Sequence, residues 1–467
     1  PHTILDFVER GESFLQLQKL FREPEVLQRY YQILRELLVG PFGPNSANQL
    51  IDDALTWTPR GIAEAAKEFL SARRADILSV IERPLEISSS LEITRGLPTS
   101  FTVNADLRGT FNAGRAAHVL VNSERATLEG APGTWVYDLK GLAPGINRIT
   151  IEEQNADGHI VASSYMDILY DDGDVSELRG DLTADTLLDA AGGPWLISES
   201  LNVLPGVTLT IEPGTSVFFL PAAGITVQPE GTLKCEGTRY QRIRLSRNPG
   251  STDIWQGIRI EAPSGQESLA ENIISFTDME HGDGQGESIE LRRSRLLLDH
   301  VSWHHCNDTI LEVYSPQLEV RDCVFPPVAT SEALKGSTLR ENDFLLLHRN
   351  VFNPSPAYND IILFSGAQRP GPILAAYDNI FNGSTDECFD LNNCDAHLEG
   401  NVFMNVHLST PRNSTANAVA INNDSRVTLT RNLFHNIDHA VLAKNGAAFQ
   451  FENLSLIHIS EPTRQSP

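Results

Sequence analysis

Cationic side chains are in short supply in this chain. Lys and Arg number 36 against 61 Asp and Glu over 467 residues, for a net charge of -25. Nucleic acid and anionic membrane surfaces are recognised through clustered positive charge, so the balance argues against both as partners. The plainest consequence of the excess is a self-repelling, solubilising surface, with affinity for cations or neutral sugars left open. Long apolar runs are also missing, and with no stretch of ~20 apolar residues nothing is expected to span a membrane. Cysteine is sparse and lacks CxxC spacing: Cys235, Cys306, Cys323, Cys388 and Cys394 argue against a zinc site or a redox pair. The opening PHTILDF has no Met and no leader pattern.

What is present falls into stretches of different period. Residues 1–83 read as helical. In EPEVLQRYYQILRELLVG, Leu27, Tyr30, Tyr31, Leu34, Leu37 and Leu38 recur at three and four, and Gly40-Pro41 ends the helix. A second helix is expected to bury Leu50, Ile51 and Leu55, and a third to start from a Thr58 cap before Pro59, with Ile62, Ala66, Phe69, Arg73, Ile77 and Ile81 on one face, Arg73 its odd member. Residues 84–172 alternate apolar and polar in FTVNA, AHVLVN, WVYDL and NRITIEE, with turns at APG, GLAPG and NADG. Short antiparallel strands at this spacing predict an immunoglobulin-like sandwich.

From residue 173 to 453 the chain is repetitive. One phrase returns as HRNVF, YDNIF, EGNVF and TRNLF, carrying Asn350, Asn379, Asn401 and Asn432 with Phe352, Phe381, Phe403 and Phe434; RDCVF and DHVSW fill the same slot. The steps from 301 to 323 and from 379 to 401 are both 22 residues. A second phrase (ESIEL, TILEV, DIILF, CFDLNN, AVAINN, AVLAKN) keeps that register. Two strands per coil at a shared period predict a right-handed parallel β-helix in which each coil pairs with the next. The Phe residues are expected to stack inside and the Asn residues to tile a bend as an amide ladder. The fold class is therefore mainly β.

The densest polar run is GSTDECFDLNNCDAHLEGN. Alternation about Phe389 and Leu391 points Asp390 outward, with Asp386 and Glu387 at the strand entrance. Register places Asp360 beside Glu387, and Asp390 in one outward column with Glu290 and Glu312. Outward Arg or Lys beside these acids is scarce. Such carboxylates suit Ca2+, a hard ion wanting six to eight oxygens. The plainer alternative is turn capping. In DHVSWHHCND, adjacent His304 and His305 would diverge on a strand, so with His300 they read as bend residues rather than metal ligands.

Three resemblances overlie these readings. LFREPEVLQRYYQILRELLVGPF, NQLID and KEFLSARRADILSVI resemble the C-terminal helices of the spore-coat protein H (CotH) kinase family. In that family the nucleotide lysine and metal-binding Asp residues lie upstream, and nothing in residues 1–83 matches them; phosphoryl transfer would belong to a longer parent alone. LKGLAPGINRITIEEQNADGHIVASSYMDILYDD resembles bacterial immunoglobulin-like spacer modules. ENIISFTDME, RLLLDHVSW, NDIILFSGAQRPGPIL, DAHLEGNVFMN and HAVLAKNGA resemble β-helix regions, of the pectin-lyase-like type, in large secreted bacterial proteins. Glu387 and Cys388 stand where that family carries Asp-Gly, and Asn392 where it carries Asp, which weakens a calcium site and raises a Cys388–Cys394 pair as the alternative. The resemblance implies an extracellular or cell-surface location. Two functions follow: a non-catalytic scaffold or glycan-binding module, or a polysaccharide lyase or hydrolase working on the outward acids.

The ladder expects Asn at 454, where LSLIHISEPTR breaks it. That run resembles the translation of a sequencing-library adapter, so residues 454–467 are expected to be foreign to the protein and to lack structure.

Overall fold

The computed structural model describes residues 23–129, 131–356, 359–408 and 415–459. The chain divides into two compact units, one of residues 1–142 and 147–171, the other of 143–146 and 172–467.

In the first unit three helices, α1 (Pro24–Val39), α2 (Pro44–Ala54) and α3 (Arg60–Ile81), precede two sheets. Proline at the first turn opens α1, and Gly40 closes it by donating to Glu36 O. The buried side of α1 differs from the apolar stripe. Leu27, Tyr31 and Leu38 are buried, yet Leu37 is exposed while Gln28 and Gln32 are inside. The carbonyls of Ala113 and Ala116 explain this: both accept from the Gln28 amide, at 2.5 and 2.6 Å, and Ala116 also from Gln32 at 3.1 Å. Burying those carbonyls unpaired would cost more than exposing one leucine does. Leu50, Ile62 and Phe69 are likewise exposed; Ile81 is buried as expected, and Ala47 and Ala63 are buried instead of the others. Thr58 does not cap, because its hydroxyl donates back to Leu55 O. The sheets have four and six strands and share a core containing Phe111, Val119, Trp135 and Ile151.

The second unit is a parallel β-helix. Each coil supplies three strands, not two, and from Thr208–Ile211 onward each strand pairs in parallel with the third strand after it, to the end of the sheet. The first face includes Ser302–His304, Val351–Phe352 and Val402–Val406; the second includes Thr309–Tyr314, Ile362–Ala367 and Glu387–Cys394. The unanticipated third face includes Gln317–Arg321, Phe344–His348, Leu374–Tyr377 and Ala396–Glu399. These short strands run straight into the bend before the ladder position, so no turn signal sets them apart.

That bend is reached through one left-handed residue per coil, with φ of +55° at His300, +54° at Asp322, Arg349 and Asp378, +69° at Gly400 and +57° at Arg431. The next residue repairs the backbone bonds a bend disrupts. Asn379 Oδ1 accepts from both the N–H and the Nδ2 of Asn350, each at 2.9 Å, while Asn379 Nδ2 donates to Leu347 O at 3.1 Å. Asn401 and Asn432 repeat the pattern. Inside, Trp303, Phe325, Phe352, Phe381, Phe403 and Phe434 form a continuous buried stack with centroids 4.4–5.0 Å apart.

At Gly400 a Cβ would collide with the Asp378 carboxylate, which lies across it. Gly400→Ala combines that clash with a positive φ and is expected to cost about 1–3 kcal/mol in urea unfolding. An unchanged midpoint would contradict this packing.

Two expectations need correction. Cys388 and Cys394 are free and buried, as are the other three cysteines. They lie on one strand six residues apart, about 20 Å in extended chain, far beyond disulfide reach. Nor do residues 454–467 wholly lack structure: Ser455–Ile459 forms a strand in register with Leu433–Ile437. An open sheet edge offers unpaired N–H and C=O groups to any extended chain. The side chains do not continue the columns, since Leu454 occupies the ladder position and Leu456, paired with Phe434, is exposed. Residues 460–467 lie outside the described residues.

Candidate functional site

The second face of the β-helix carries the predicted acids, in two groups with different surroundings. Glu290 and Glu312 are partners in register, as expected, but Lys335 and Leu363 follow in that column before Asp390. Glu290 is clasped by Arg259 and Arg292, and Glu312 lies 3.6 Å from Arg292 and 3.7 Å from Lys335. The expected scarcity of outward cations therefore fails here, and these acids belong to a compensated charge ladder. Arg292 was legible, being two residues from Glu290 and so on the same side of the strand.

Asp360, Asp386 and Glu387 form the second group, each offering an oxygen within 4.8 Å of the others'. Local geometry brings them together. Gly383 takes φ +137° at the turn, and the buried Ser384 hydroxyl donates to Glu387 O at 3.1 Å while accepting the Asp386 N–H at 3.1 Å. Asp360 arrives from the preceding coil, where Ile361 N donates to Glu387 O at 3.0 Å. From the following coil, Asn417 Nδ2 donates to Glu387 Oε1 at 2.7 Å. Asn417 was missed, although it holds the coil position of Glu387 two residues before the repeated Val419.

None of the three carboxyls makes an ion pair among the described residues. Burial, followed by hydrogen bonding to Asp386, raises the Glu387 pKa to about 10. Burial and the Asp390 charge raise that of Asp360 to about 7. The group thus holds a proton at neutral pH. Asp360 Oδ1 is buried with no hydrogen-bond partner among the described residues. Asp390 stands apart, accepting from Asn422 at 3.2 Å and Asn392 at 3.3 Å, its pKa raised chiefly by burial.

The remaining acids of that dense run go elsewhere. Asp395 takes the backbone N–H groups of Arg369 and Arg426, while Glu399 on the third face meets His397 and Arg431. His300 and His305 sit at bends as expected, whereas His304 ends the first-face strand Ser302–His304. His300 Nδ1 contacts Asp299, and the exposed His305 stacks on His281 at 4.8 Å. Asp299, His300 and Asp322 also converge within 4.8 Å, but Arg321 and Arg349 already neutralise the two aspartates.

No family model matches the chain. A 93-residue stretch is 32% identical to Protein bark beetle of Drosophila melanogaster, covering 20% of this chain and 3% of that protein's length. The chain is also similar to the structure of the Yersinia enterocolitica family 28 exopolygalacturonase, with a TM-score of 0.25 and 9% identity over 82% of this chain and 100% of that one. Assignment as a parallel β-helix rests on the strand registers.

Proposed function

We propose that the β-helix is a non-catalytic extracellular scaffold that binds a polysaccharide or cell-surface glycan, with a Ca2+ ion held by Asp360, Asp386 and Glu387. The observation that carries this is the uncompensated trio. Glu290 and Glu312 have cationic partners within the fold, whereas Asp360, Asp386 and Glu387 have none among the described residues, the Asn417 amide being a neutral donor and Asp360 Oδ1 a buried oxygen without a partner. A hard divalent ion would replace the proton and take that oxygen, with water and further oxygens completing its shell.

Carboxyl spacing weighs against a glycosidase at the trio. Hydrolases keep their two carboxyls ~5–9.5 Å apart to admit the sugar and the attacking group. Here one oxygen of each carboxyl lies within 4.8 Å of the others', and Glu387 hydrogen-bonds directly to Asp386 and Asp360. The resemblance of the helices to a CotH kinase tail and of the sandwich to immunoglobulin-like spacers supports display outside the cell.

A glycan array probed with and without Ca2+ tests the proposal. Binding that strengthens with Ca2+ is expected for the wild type and not for Asp360→Asn. An array silent in both conditions would remove the glycan-binding function.

A further inference from the structure

We propose that the third face carries a separate contact surface for neutral sugar rings, centred on Tyr377. The proposal rests on the glycan-binding function above but uses none of the acids of the second face.

Two outward columns define the surface. Asp299, Arg321, His348, Tyr377 and Glu399 follow one another in register, flanked by Leu297, Glu319, Leu346, Ala375 and His397. The earlier coils are closed by charge pairs, with Arg321 reaching Asp299 at 2.7 Å and Glu319 at 3.4 Å. Over the next coils the ion pairs give way to rings. His348 meets Tyr377 edge-on at 6.3 Å, and Tyr377 meets His397 at 5.7 Å. All three rings are half-buried rather than inside. Core aromatics of this protein lie in the separate inner stack, so these outer rings are not needed to fill the coil. The small Ala375 beside Tyr377 leaves the ring no bulky neighbour in its own strand.

Groups suited to hydroxyls surround the ring. His397 Nε2 lies 2.8 Å from Glu399 Oε2, and the other Glu399 oxygen receives Arg431. The Asp378 carboxylate is 60% exposed, 3.6 Å from His348 Nε2. Tyr377 is half-buried, so a face of its ring remains open to an external partner. A pyranose ring has an apolar C–H face and a rim of paired hydroxyls. An aromatic surface covers the first, and carboxylate and guanidinium groups bind the second in charge-assisted hydrogen bonds. The carboxylates of Asp322, Asp378 and Glu399 are opposed by the guanidiniums of Arg349, which lies 3.1 Å from His348, and Arg431, so the surface offers no strong field of either sign. That selects a neutral sugar over a uronate or a free cation.

The test is binding of neutral hexasaccharides (gluco-, xylo-, manno- and N-acetylglucosamine-based) by saturation-transfer NMR and biolayer interferometry, with and without Ca2+. Tyr377→Ala is expected to weaken the binding about tenfold or more, whereas Tyr377→Phe, which keeps the ring face, stays within about threefold. His397→Ala should also weaken it. Circular dichroism and thermal midpoints close to wild type confirm that the variants fold. Wild-type affinity in Tyr377→Ala overturns this inference alone, and loss of binding in Asp360→Asn would then place the sugar on the second face. No binding by the wild type in any condition removes both this surface and the glycan-binding function.

Discussion

Asn401→Ala is expected to destabilise the β-helix by about 3–6 kcal/mol in equilibrium urea unfolding, because it removes a partner from three buried polar groups at ~1–2 kcal/mol each, Asn379 Nδ2 keeping its bond to Leu347 O. Those groups are the Asn379 N–H and Nδ2, which both donate to Asn401 Oδ1, and the Ala376 carbonyl, which accepts from Asn401 Nδ2. All belong to a fully buried column. Such a loss is a large share of a normal folding free energy of ~5–15 kcal/mol. The backbone N–H of Asn401 keeps its bond to Asn432 Oδ1, so the damage should centre on the coil above. Hydrogen exchange should quicken first at Asn379 and its neighbours. A cost below about 1 kcal/mol would show that water enters the bend and replaces the amide.

Stability of the cation-free protein should fall as pH rises, through the acidic trio. Asp360 and Glu387 have folded pKa values raised above the ordinary 3.8 and 4.5. Below pH ~4 both are protonated, folded or unfolded, and neither costs anything. As pH climbs, the unfolded chain ionises first, so stability drops through the Asp360 value of about 7 and continues toward that of Glu387. For Asp360 the full loss is of the order of 4 kcal/mol. Asp360→Asn should flatten this slope and be more stable than wild type at pH 8 without a cation. Ca2+ at 100 times its dissociation constant should restore about 2.7 kcal/mol to the wild type alone. Thermal midpoints from pH 4 to 9, with EDTA or Ca2+, check both signs. A wild type that gains stability relative to Asp360→Asn on going from pH 5 to 8 in EDTA would contradict the assignment.

The features most legible in the sequence are those that recur at a fixed period. Asn350, Asn379, Asn401 and Asn432 could be aligned by eye because a stacked coil repeats one chemistry at one backbone position, and the Phe column follows for the same reason. The third face was hidden because its strands repeat a pattern, apolar alternation, without repeating a residue. Among the acids, register sufficed to place Asp360 beside Glu387 and Glu290 beside Glu312. What the 22-residue repeat did not reveal was compensation: Arg259, the register partner of Glu290, stands 31 residues before it because that coil carries an insertion, so the pairing is seen only in the folded register. Helix burial failed for a related reason. Gln28 and Gln32 lie inside because of carbonyls some 85 residues away, a demand that the local pattern of α1 does not contain.

The most direct test of the trio as a cation site is Ca2+ titration by isothermal calorimetry at pH 7, repeated in buffers of different ionisation enthalpy. One ion per chain should bind, with release of a proton from the Glu387–Asp360 pair, and neither binding nor proton release should appear in Asp360→Asn or Glu387→Gln. Binding that proceeds without proton release, or that persists unchanged in both variants, would contradict it.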